Sequence, residues 1–289
     1  MFNYIITSIV FFISLYIIKK VIYILSLNLI FKNFKHDFVL NLDEIKNDIK
    51  RHFNKDVELS KYFVRSETTF IDTLLIRPIK NNLNYPEKLI IYFHGNAGNI
   101  NSVVHSGELK KLLSFNCSIL IFDYRGFGRS TGNSDEDSII YDSQVIYEFC
   151  LNYLSFDSKN IMFFSNSLGC YIGLSTINQL INLNIDLPKC IILQNPFYSV
   201  FDIAYELYGK IAFLLPIKMN NNKNIKKILN NHSNYKIFVL HSTYDEFIKI
   251  THSEKLCKNN NLDLIKIKGS HNCPILDDEI TDKIKDYFI

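Results

Sequence analysis

From Val57 onward, short runs of β-branched and aromatic residues alternate with longer stretches whose apolar positions recur at helical spacing. Runs of this length that are mostly apolar suit strands buried on both faces, and their alternation with helices predicts an α/β protein with a mainly parallel central sheet flanked by helices. Val57 to Val64 and Thr69 to Arg77 read as an opening hairpin. Leu89 to Phe93, Ser118 to Asp123, Ile161 to Phe164, Cys190 to Leu193, Lys236 to Leu240 and Leu262 to Ile267 read as the strands that follow. Residues 57–289 therefore form one domain. Between the strands at Cys190 and Lys236 lies a longer, aromatic-rich insertion, about 195–235, that reads as a small cap. Within it Phe197, Phe201 and Tyr205 recur every four residues, followed by Tyr208 and Ala212, a stripe suited either to lining an apolar substrate pocket or to packing on the sheet.

The N-terminus follows a different pattern. Met1 to Ile18 carries no charged side chain and, as a helix, would measure roughly 27 Å, the thickness of a bilayer core. Residues 1–31 are expected to form a single-pass membrane anchor with Lys19 and Lys20 in its middle, and the charged, mixed segment 32–56 a linker, as a helix or tether. A cleaved signal peptide would need a basic leading region and a small-residue cleavage site, and neither precedes the lysines. The lysines after the span favour a cytosolic domain by the positive-inside rule, whereas the sequons at Asn116 and Asn231 point to the opposite side.

Charge and cysteine usage narrow the chemistry. The 289 residues carry a net charge of only +3, with Lys and Arg scattered, so no nucleic-acid partner is expected. Six cysteines lie far apart without a C-x-x-C pair, which indicates neither a metal site nor a disulfide framework. Gly126-Phe127-Gly128 is not a full G-x-G-x-x-G and opens no helix, so no dinucleotide cofactor, and no cofactor of any kind, is expected.

The informative residues stand where strands end. Ile161 to Phe164 runs into Ser165-Asn166-Ser167-Leu168-Gly169 and then a helical stretch, the strand, sharp turn and helix that present a serine nucleophile. Taken alone, Ser167 has an ordinary alternative as a helix cap. Later strand ends supply the missing partners in the order acid, then histidine: Asp245 after Lys236 to Leu240, and His271 after Leu262 to Ile267. A serine hydroxyl needs a base near neutral pKa to take its proton, and the base needs a carboxylate to fix its tautomer, so Ser167, His271 and Asp245 have distinct tasks. Glu246 is the fallback acid, and His94 and His241 read as structural. The loop His94-Gly95-Asn96-Ala97-Gly98-Asn99 follows another strand, and the backbone N–H groups of Asn96 and Leu168 are the natural pair for an oxyanion hole.

With these motifs in order, YFHGNAGNI (Tyr92 to Ile100), DYRGFGRSTG (Asp123 to Gly132), NSLG (Asn166 to Gly169) and GSHN (Gly269 to Asn272), the chain resembles the α/β-hydrolase superfamily, in particular its membrane-anchored α/β-hydrolase domain-containing proteins. The likeness runs from about Lys88 to the C-terminus. It implies the α/β-hydrolase fold, a triad on Ser167, Asp245 and His271, and an oxyanion loop on His94 to Asn99. Ser165 replaces the first glycine of the usual serine pentad, Cys170 a glycine after it, and Ser242 a glycine after His241. The expected activity is hydrolysis of an ester or thioester on a small acyl ester, lipid or acylated protein. A catalytically silent, membrane-tethered interaction protein and a serine peptidase are the alternatives.

Overall fold

The computed structural model describes residue 16 and residues 39–79, 87–214 and 219–288. The expected anchor at 1–31 lies outside the described residues apart from Tyr16. Among the described residues, no helix is long and apolar enough to cross a membrane.

Strands β1 (Val57–Ser66) and β2 (Thr69–Pro78) form the expected antiparallel hairpin. β3 (Leu89–Phe93), β4 (Ser118–Phe122), β5 (Ile161–Asn166), β6 (Cys190–Gln194), β7 (Lys236–Ser242) and β8 (Leu264–Gly269) follow, then a two-residue β9 (Pro274–Ile275). They make one nine-stranded sheet in the order β1-β2-β4-β3-β5-β6-β7-β8-β9. The run from β4 to β8 is parallel, and β1, β2 and β9 are antiparallel additions at the two margins. β3, β4 and β6 are buried along their whole length and β5 up to its last residue, Asn166, as their mostly apolar sequences require of strands covered on both faces.

Each face has its own core. On one, helices α4 (Glu136–Asn152) and α5 (Leu168–Asn182) pack through Ile146, Tyr147, Ile172 and Ile177 against Phe93, Phe122 and Phe163. On the other, α1 (Leu42–Phe53), α2 (Ile100–Val104) and α3 (Gly107–Ser114) join Ile119, Phe164 and Ile284. Segment 32–56 is therefore not a linker throughout: α1 buries Ile45 and Ile49, one turn apart, and is part of the domain. It starts at an Asn41 cap and stops at Asn54 in the left-handed conformation.

The cap is also smaller than its sequence span. Helix α6 (Val200–Tyr208) and a 3-10 turn (Gly209–Leu214) stand outside the sheet layers. A bridge between Ser199 and Asn220 closes their neck. The next helix, α7 (Asn221–Asn231), is an ordinary flanking helix: it buries Ile225 and Ile228, and Asn224 donates to the Ser175 hydroxyl on α5 at 2.8 Å.

Candidate active site

β5 delivers Ser167 into a turn that few residues tolerate, with φ 54° and ψ −115°, and α5 begins at Leu168. The Ser167 side chain does not cap that helix, which removes the alternative use of a serine at this position. The turn closes because Gly169 lies flat against β3: a Cβ there would overlap the Phe93 carbonyl oxygen and come within 2.9 Å of the His94 oxygen. The Ser167 N–H donates to the Gln194 carbonyl at 2.9 Å, tying the turn to β6.

The departures from the usual glycines are absorbed locally. Ser165 is fully buried, and Gly173 on α5 faces it; a Cβ on Gly173 would stand 2.5 Å from the Ser165 hydroxyl. Cys170 turns its thiol onto the carbonyls of Ser165 (3.2 Å) and Gln194 (3.3 Å). Burial pushes that thiol far up, so it stays neutral and serves as a hydrogen-bond donor beneath the turn.

The three residues assigned from strand ends meet in space. His271 Nε2 lies 3.1 Å from Ser167 Oγ, and His271 Nδ1 lies 2.6 Å from Asp245 Oδ2. Burial works against the Asp245 charge, but the His271 hydrogen bond and the backbone N–H groups of Ile248 (2.7 Å) and Phe247 (2.9 Å) outweigh it and hold the pKa below its ordinary value. An ionised acceptor at Nδ1 requires the proton there, which leaves Nε2 free to receive one from Ser167. The Glu246 carboxylate accepts the backbone N–H of His271 at 3.1 Å instead of meeting the ring. His241 is buried behind Asp245, donating from Nε2 to the Ile248 carbonyl and accepting from Ser253.

The loop after β3 passes over the serine, since a Cβ on Gly95 would lie 3.5 Å from Ser167 Cβ. Asn96 is the next residue, and Leu168 contributes an N–H from the first turn of α5, where helices have no internal acceptor. Beneath the loop, His94 stacks on Tyr124 at 4.0 Å and donates from Nδ1 to the Gly95 carbonyl. Burial lowers its pKa to about 4, so it is neutral and structural. Asp123 accepts the backbone N–H groups of Ile100 (2.6 Å) and Arg129 (3.2 Å), joining the HGNAGN segment to the DYRGFG turn. Gly128, at φ 48°, is the residue whose Cβ would collide with that carboxylate.

The aromatic stripe splits. Phe197 is 3% exposed and sits in the core, apart from the exposed pair. It precedes the α6 cap at Ser199, and its spacing to Phe201 is therefore not helical. Phe201 and Tyr205 stack on one another and meet Phe213 edge-on, and all three are exposed. The opposite side of α6 is fixed by ion pairs of Asp202 to Lys255 and Glu206 to Lys249. Phe247, which stands in no motif of the sequence, is 65% exposed and sets its ring edge-on to His271 at 5.4 Å. Only its position two residues after the acid hints at this.

The family described as Chlamydia CHLPS protein (DUF818) matches residues 3–272. The chain is 33% identical to uncharacterized protein R595 of Acanthamoeba polyphaga mimivirus over 248 residues, which is 78% of this chain and 80% of that protein. To L404 of the same virus, which carries an α/β-hydrolase name, it is 30% identical over 237 residues, 79% of this chain and 84% of the other. Among solved structures it resembles an α/β-hydrolase of Vibrio vulnificus, with a TM-score of 0.66 at 15% identity over 92% of this chain and 90% of the other. It also resembles the Pyrococcus furiosus esterase Pf2001, with a TM-score of 0.58 at 15% identity over 82% and 91%. At such identities the structural likeness establishes the α/β-hydrolase fold.

Proposed function

The chain belongs to the Chlamydia CHLPS protein family (DUF818) and to the α/β-hydrolase superfamily, and from that premise we propose that it is a serine hydrolase cleaving esters or thioesters through an acyl-enzyme. The observation that carries this reading is the unbroken chain Asp245, His271, Ser167, with the serine on a turn held by Gly169. His271 takes the Ser167 proton as the oxygen attacks the carbonyl, and Asp245 stabilises the imidazolium. The N–H groups of Asn96 and Leu168 receive the developing oxyanion, each worth about 3 kcal/mol in such sites. The leaving alcohol or thiol departs with the proton from His271. Water, deprotonated by the same ring, then releases the acid and restores the serine. A fluorophosphonate that labels Ser167 alone supports the reading, and an unlabelled, folded protein sinks it.

The substrate side of the proposal is an apolar acyl chain at a membrane. Phe201, Tyr205 and Phe213 form an exposed apolar face at the carboxyl edge of the sheet, the edge that holds the triad. Each buried CH₂ contributes about 0.8 kcal/mol, so a face accepting four more methylenes favours the longer chain by roughly two orders of magnitude in kcat/KM. On p-nitrophenyl esters below their micelle concentrations, activity is expected to climb with chain length and to climb less in Phe201→Asp. A flat profile removes the lipid-directed version and leaves a small-ester hydrolase.

Residues 1–31 are proposed as the anchor, and the domain's geometry suits one. Leu40 shares a small cleft with Asn99, Asp123 and Arg129, so the chain enters the domain at the same carboxyl edge. A tether there turns the triad toward the bilayer. The protein contains no tryptophan, which makes a substituted one a clean reporter. In vesicles of brominated phospholipid, the full chain carrying Tyr205→Trp is expected to be quenched. Tyr153→Trp, at the end of α4, is expected to stay bright. Equal quenching of both, or of neither, rejects this orientation.

A further inference from the structure

The carboxyl tip of β6 carries no reacting group, yet it touches all three catalytic loops. β6 lies between β5, which ends at the serine, and β7, which leads to the acid. Its last residue, Gln194, accepts the Ser167 N–H through its carbonyl at 2.9 Å. The next residue, Asn195, is fully buried and divides its side-chain amide between the other two loops. Oδ1 accepts the Ser242 N–H at 2.8 Å, and Nδ2 donates to the His271 carbonyl at 3.2 Å. Ser242 in turn accepts the Asp245 N–H through its own carbonyl at 3.2 Å. His271 is thus gripped on both sides of its peptide, at N–H by Glu246 and at C=O by Asn195.

We propose that Asn195 is the positioning residue that sets the base loop against the acid and nucleophile loops; this rests on the serine-hydrolase reading. The donor and acceptor chemistry leaves little choice of side chain. An N–H group on one side can only donate and a carbonyl on the other can only accept, so the group between them must do both at fixed reach. The amide of asparagine does so. A carboxylate cannot donate, and glutamine adds a methylene in a packed site. The platform beneath is stiff: the Gln194 side chain accepts from buried Lys111 at 2.6 Å and donates to Asn166 at 3.1 Å, and Lys111 is paired with Glu108 at 2.8 Å.

Asn195 also has φ 52°, a left-handed conformation that asparagine tolerates better than most residues, and this is the competing reason for its presence. Two variants separate the roles. Asn195→Gly removes both hydrogen bonds and eases the backbone, whereas Asn195→Asp keeps the shape and, when ionised, loses the donor. Rates are read per active site, titrated with a fluorophosphonate, so that misfolded molecules drop out of the comparison. Both variants are expected to keep KM near the wild-type value and to lose on the order of 10²-fold in kcat at alkaline pH, as for an ångström-scale misplacement. The Asn195→Asp deficit is expected to shrink as pH falls, because a neutral carboxyl accepts and donates as the amide does. The ionisable side chains around this position, His241, Asp245, Glu246 and His271, are common to all three proteins, and Asn195→Gly, which adds no carboxyl, is the control read at each pH. Asn195→Gly at the wild-type rate per site, or a deficit in Asn195→Asp that ignores pH, overturns the proposal. A wild-type protein that leaves Ser167 unlabelled overturns the serine-hydrolase reading itself, and this inference with it.

Discussion

Ser167→Ala is expected to abolish labelling and to lower kcat by roughly 10⁵- to 10⁶-fold while leaving the fold intact, the scale seen when a triad nucleophile is removed. The hydroxyl's partner is His271 Nε2, and it makes no cap bond to α5, so its loss removes chemistry with little packing. His271→Ala is expected to be nearly as severe, and Asp245→Asn less so, because the carboxylate orients the ring and does not react. Glu246→Gln keeps an oxygen for the His271 N–H and is expected to be mild. If it proves more damaging than Asp245→Asn, the acid has been misassigned. The turn adds a sign that can be checked by thermal unfolding. At φ 54° a non-glycine residue stores about 1–3 kcal/mol, so Ser167→Gly is expected to raise the melting temperature although it is inactive. Activity in Ser167→Ala equal to wild type ends the serine-hydrolase reading.

Most of the site is legible in the sequence because a parallel sheet gathers its active residues at strand carboxyl ends, whatever their separation along the chain. Ser167, Asp245 and His271 all stand at strand ends in the sequence, with Glu246 as the alternative acid, and the three meet in space as that rule requires. β8 starts two residues later than its apolar run suggests, at Leu264, without moving the loop that bears His271. What the sequence hides depends on exact phase or distant contacts. Phe197 and Phe201 are four apart, but a cap at Ser199 intervenes and sends one to the core and the other to solvent. Helix α7 carries so many asparagines that its buried pair, Ile225 and Ile228, does not stand out from the insertion before it. The linking role proposed for Asn195 follows from strand order, since β6 lies between the nucleophile strand on one side and the acid strand on the other.

The glycine that shapes the turn is expected to be nearly as critical as the nucleophile. A methyl group at Gly169 would overlap the Phe93 carbonyl oxygen and lie 2.7 Å from its carbon, and both are backbone atoms of a central strand buried on both faces. Such a clash cannot be relieved by a rotamer change. Either β3 and α5 separate, at the 1–3 kcal/mol or more that overpacking costs, or the turn opens and moves Ser167 away from His271. Gly169→Ala is therefore expected to lower both the melting temperature and the number of titratable active sites, with the survivors slowed on the order of 10²-fold or more. Gly173→Ala provides the contrast on the same helix. Its new methyl would meet the Ser165 hydroxyl at 2.5 Å, a side-chain atom, so Ser165→Gly in the same chain is expected to restore what Gly173→Ala loses. No such rescue exists for Gly169, whose obstacle is main chain. Full stability and activity in Gly169→Ala would show that α5 does not need to approach β3 this closely, and the account of how the turn is held would fall.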